Sequence, residues 1–90
     1  MLFILKNNGD NHCDQILKFI DNEDKIILIQ DGVLLAHENN KFISTVKDKD
    51  VEILVLKNDL DVRGAKNNIN AKTIDYADMV DLIEKNKVFS

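Results

Sequence analysis

The 90-residue chain contains no proline and no tryptophan, only three glycines and a single cysteine. One thiol excludes an internal disulfide, and Cys13 with His12 and His37 makes too small a set of soft ligands for a structural zinc site. Gly9, Gly32 and Gly64 lie too far apart to build a G-x-G-x-x-G loop, so the usual glycine-rich cradle for phosphate is missing. No cofactor and no metal are expected.

Clusters of basic residues are missing as well. The 12 lysines and arginines are spread from Lys6 to Lys87 and the net charge is -4, which leaves no electrostatic footprint for direct contact with nucleic acid. No apolar run approaches the roughly 18 residues that cross a bilayer. The opening MLFILK lacks the basic start and cleavage site of a secretory signal. A cytoplasmic chain without membrane contact is expected.

What is present is a globular balance, 44% hydrophobic and 31% charged, without a low-complexity tract. Residues 1–90 read as one domain. At this size folding hides only about 60 to 68% of the surface of the unfolded chain, so association with other subunits would add stability.

Four apolar runs punctuate the sequence: LFIL at 2–5, IILI at 26–29, VEILVL at 51–56 and AKTI at 71–74. The first three barely alternate with polar residues, as expected of strands buried on both faces. Between them the period changes. Cys13, Ile16, Leu17 and Ile20 recur at helical spacing, with Asp10 or Asn11 placed to cap. VLLAHENNKFIS is a blurred helical pattern, DLDVR is a short one before Gly64, and YADMVDLIEKN is amphipathic through Tyr76, Met79, Val80 and Ile83.

The order βαβαβαβα predicts an α/β fold, a small doubly wound parallel sheet of about four strands joined by right-handed crossovers. Ligands and contacts in such folds gather at the carboxyl ends of the strands. QDG (30–32), KND (57–59) and IDY (74–76) should converge there. Asp31, Asn58 or Asp59, and Asp75 read as caps of the following helices. Gly32 permits a tight turn or the close approach of another backbone, and Gly64 a left-handed helix exit. Capping is favoured over a catalytic role for Asp31. Asp59 and Asp61, two apart on one helix, point to different sides and make a poor acid/base pair. Arg63 is the sole arginine and, with Asp31, the preferred interface anchor. Tyr76 and Phe89 could pack on the sheet or face a partner.

Taken together, IILIQDGVLLA, VLKNDLDVRG and IDYADMVDLIEKNKVFS resemble the DsrH/TusB family of sulfur-relay subunits over nearly the whole chain. The resemblance implies a parallel α/β subunit, with the strand order 2-1-3-4 as a guess from family and crossover rules. It also implies hetero-oligomeric assembly with DsrE/TusD-like and DsrF/TusC-like partners, and transfer of persulfide sulfur toward 2-thiolation of the tRNA wobble uridine. In the tRNA branch the sulfur-carrying cysteine belongs to the TusD-like partner, so this chain is expected to be non-catalytic. Gln30, Asp31, Gly32, Asp59, Arg63 and Tyr76 would then contribute to a strand-end or interface site. A homo-oligomeric binding module and a stand-alone sulfur carrier are the alternatives.

Such a carrier would have to use Cys13. The first helical turn beside His12 favours a reactive thiolate, but the residue shares an apolar stripe with Ile16, Leu17 and Ile20, and cysteine is among the most buried residue types. Some relatives in sulfur-oxidising bacteria have a cysteine in this helix, but aligned on ILKFI it falls near Ile16. A packed thiol is expected. His12 should face solvent, and His37 has no neighbouring nucleophile.

Overall fold

The computed structural model describes residues 1–7, 9–37 and 40–89, without the side chains of residues 10–12. The expected capping by Asp10 or Asn11 and the orientation of His12 lie outside the described residues. Among the described residues five strands form, β1 (Leu2–Leu5), β2 (Lys25–Leu28), β3 (Glu52–Leu56), β4 (Lys72–Ile74) and β5 (Val88–Phe89). Between them lie α1 (Asp10–Leu17), a 3₁₀ turn (Gln30–Val33) running into α2 (Leu34–His37), α3 (Lys41–Asp48), α4 (Lys57–Val62) and α5 (Tyr76–Lys85). The blurred second helical pattern is thus a 3₁₀ turn and two short helices. Asn40 starts the second of these by accepting from the Ile43 N–H at 3.0 Å.

The strands pair in parallel throughout, in the order β4-β3-β2-β1-β5. This corrects the expected 2-1-3-4. Each of the first three crossovers steps to the next strand in the same direction, so right-handed connections place all their helices on one side. The core shows the consequence. Cys13 and Ile16 of α1, Val33, Leu35, Ala36, Phe42, Ile43, Val46 and Leu60 pack with Phe3, Ile26, Leu28, Ile53 and Val55 on one face. On the other, Leu2, Ile4, Ile27, Leu54, Leu56 and Ile74 pack with Ile29 and with Met79 and Leu82 of α5. The fifth strand, added by the terminal KVF, is the second difference from the sequence reading. Leu2 N–H donates to Lys87 O at 2.7 Å, and the Phe89 ring lies 5.5 Å from that of Phe3.

The unalternating runs are explained by burial on two sides. Ile26, Ile27 and Leu28 are all at 0% exposure, and each such side chain stabilises the fold by about 1.5 to 3 kcal/mol through apolar burial. Local signals also act as read in two places. Asp75 caps α5 in a reciprocal capping box with Asp78, and Gly64 leaves α4 at φ +59.

Candidate functional site

Four of the six strand-end residues meet at the carboxyl ends of β2 and β3. Gln30 follows β2 directly and has φ +50, a left-handed conformation that costs a non-glycine residue about 1 to 2 kcal/mol. Its N–H donates to Asp59 Oδ2 at 2.6 Å. Next to it, Arg63 Nε donates to Asp31 Oδ1 at 3.0 Å, while Arg63 Nη1 reaches Asp59 O at 3.4 Å and Asp59 Oδ1 at 3.8 Å. Two turns that are distant in sequence are thereby joined by carboxylates and one guanidinium.

The arrangement corrects the roles expected for both aspartates. Neither the 3₁₀ turn nor α4 has a side-chain cap; their N-cap positions are held by Ile29 and Leu56. The Asp59 carboxylate bonds across to the neighbouring turn instead, and Asp31 pairs with Arg63. A negative charge in the first turn of each helix still opposes the positive helix end, so the residue type suits the site although the partner is tertiary.

Gly32 is required by close approach. A Cβ placed there would lie 2.1 Å from Leu5 O. That carbonyl already accepts the Ile29 N–H at 3.0 Å, so the 3₁₀ turn is pressed against the end of β1. Tyr76 is not brought into this cluster. It begins α5 on the other side of the sheet and is 52% exposed.

Cys13 is 4% exposed and belongs to the core with Ile16 and Ile20. A thiol so placed cannot present a thiolate to a sulfur donor without local opening, because nucleophilic attack needs both deprotonation and access. Asp31 is 63% exposed at its side chain and Arg63 26%, so the strand-end cluster is a surface feature. It can present hydrogen-bonding groups to a partner. Among the described residues no group of three or more His, Cys, Asp or Glu side chains could hold a metal ion.

One structural role escaped the sequence reading. His37 Nδ1 accepts the Lys66 N–H at 3.0 Å, and His37 O accepts from Asn68 Nδ2 at 2.6 Å. Asn67 both donates to Ala71 O and accepts from Ala71 N–H, at 2.5 and 3.1 Å. These bonds fix the segment between Gly64 and β4 against α2. Asparagine side chains favour turns, but nothing in the sequence pointed to His37 as the partner of this segment.

Comparison with known proteins places this geometry in a family. Residues 8–88 match the family described as DsrH like protein. Two bacterial relatives named Protein TusB, from Salmonella dublin and from Enterobacter sp. strain 638, are each 35% identical over 72 residues, covering 78% of this chain and 76% of theirs. The solution NMR structure of protein Tm0979 from Thermotoga maritima is similar at a TM-score of 0.65 and 29% identity, covering 96% of this chain and 94% of that one. The chain belongs to the DsrH-like protein family.

Proposed function

We propose that the chain is a non-catalytic subunit of a cytoplasmic sulfur-relay assembly. In this reading it completes a hetero-oligomer with DsrE/TusD-like and DsrF/TusC-like chains, and a partner's cysteine passes persulfide sulfur toward 2-thiolation of the tRNA wobble uridine. The observation that carries the non-catalytic part is the burial of Cys13, the chain's one thiol, at 4% exposure. Membership of the DsrH-like family supports the relay. The strand-end cluster of exposed Gln30 and Asp31 with half-buried Asp59 and Arg63, braced by Gly32, and the exposed Tyr76 are the surfaces offered to partners.

Purification of the tagged chain from its native cytoplasm, followed by mass determination of the intact complex, tests the assembly. Equal amounts of DsrE-like and DsrF-like chains are expected, and a bare homo-oligomer would overturn the reading. Deleting the gene should deplete 2-thiouridine in tRNA hydrolysates. Replacing the chain with Cys13→Ala should restore it, whereas failure of that variant, at a melting point like the wild type's, would make Cys13 a carrier.

A further inference from the structure

Helix α5 uses its apolar surface unevenly. Met79 and Leu82 are its contacts with the sheet, both only partly buried, and none of its residues is fully buried. Tyr76, Val80 and Ile83, spaced i, i+4 and i+7, form a second stripe on the outward side at 52%, 51% and 38% exposure. Asp78, Asp81 and Lys85 line a depression shared with Lys25, Glu52 and Lys72 at the starts of three strands.

The same side of the sheet continues the exposed surface. Val88 pairs in register with Leu2, which faces α5, so Val88 projects from that face too, at 42% exposure. Among the described residues the opposite face is covered by helices from three crossovers, and this one by α5.

Charge indicates the kind of occupant. Residues 75–85 contain Asp75, Asp78, Asp81 and Glu84 against one lysine, Lys85, in a chain whose whole net charge is -4. By helical rotation Glu84 borders the stripe beside Val80, and Asp75 stands at its start. Lys85 is drawn back to Asp81 at 4.0 Å. A second copy packed antiparallel would bring Glu84 toward Asp75 of its mate, and a parallel one would oppose the two Glu84 side chains. Like charges so placed disfavour self-association.

We propose that the outer stripe of α5, centred on Val80, docks a different protein chain that presents an apolar groove with a lysine- or arginine-bearing rim. The inference rests on the relay reading and names the surface through which this subunit joins its assembly. Central apolar anchors carry most of the binding energy in such contacts, and rim charges govern encounter and salt dependence.

The test is co-expression with DsrE-like and DsrF-like chains and measurement of partner retention for the wild type, Val80→Asp and Phe19→Asp. Phe19 follows α1, which packs on the opposite face of the sheet, and is 68% exposed, which makes it a control apolar surface residue away from both α5 and the strand-end cluster. Val80→Asp should weaken partner binding about tenfold or more, Phe19→Asp less than about twofold, and both should melt like the wild type. Glu84→Gln should reduce the salt dependence of the complex. Full retention by Val80→Asp, with the wild-type complex intact, overturns the docking site alone. A wild type that retains neither partner overturns the relay reading and this inference together. Self-association of the wild type that Val80→Asp abolishes would assign the stripe to a second copy and overturn the choice of partner.

Discussion

The N–H of Gln30 and the carboxylate of Asp59, 29 positions apart in sequence, meet at 2.6 Å and hold the end of β2 against the start of α4. A charge-assisted bond from a backbone donor contributes about 1.5 to 3 kcal/mol. Asp59→Ala should therefore lower stability by about 2 kcal/mol, read from the urea midpoint at unchanged slope. A loss below a few tenths would mean that water replaces the carboxylate at no cost.

Gln30 itself is held at φ +50. Glycine adopts that conformation without a side-chain clash, although it loses more freedom on folding. Gln30→Gly should leave stability unchanged or raise it by up to about 1 kcal/mol. A marked loss would show that the glutamine side chain contributes to the fold.

Gly32 should tolerate no side chain. The Cβ of Gly32→Ala would fall 2.1 Å from Leu5 O, and relief requires moving the 3₁₀ turn away from β1. The expected cost is about 3 kcal/mol or more, in the range of severe overpacking. Thermal melting would detect it, and a melting point within a degree or two of the wild type would contradict the packing described.

The Asp31–Arg63 pair is different. With Asp31 63% exposed, its Coulomb attraction is screened by water, and such pairs contribute about 0 to 1 kcal/mol. Asp31→Asn should barely move the denaturation midpoint while weakening partner binding if this pair belongs to an interface. Unchanged binding would restrict the pair to the isolated fold.

Asp24 supplies a pH dependence. Burial acts to raise its carboxyl pKa. The hydrogen bonds from the terminal ammonium at 2.8 Å and from the Asp21 N–H at 3.0 Å, together with the ammonium's charge, outweigh burial and hold it below the ordinary 3.8. The folded value is thus lower than the unfolded one. Its contribution is present above the unfolded pKa and disappears as pH falls through the folded one. The stability gap between the wild type and Asp24→Asn should close as pH drops from about 5 toward 2, and a gap constant across that range would exclude the linkage.

By itself the sequence determined the features whose physics is local. Unalternating runs became strands because both faces of the sheet are covered. Asp75 capped α5 because its partner Asp78 lies three residues away, and Gly64 ended α4 because its left-handed conformation needs no distant contact. Cys13 was legible as core from its stripe with Ile16 and Ile20. Tertiary structure alone decided the rest. Strand order depends on which way each crossover steps, a choice that a periodic pattern does not encode. Asp31 and Asp59 read as caps of their own helices, but each found a partner about 30 positions away, because chain folding placed Arg63 and the Gln30 N–H beside them. The amphipathic pattern of α5 marked an apolar surface. How much of it the sheet would cover, leaving Tyr76, Val80 and Ile83 exposed, was set by the way α5 docks on that face.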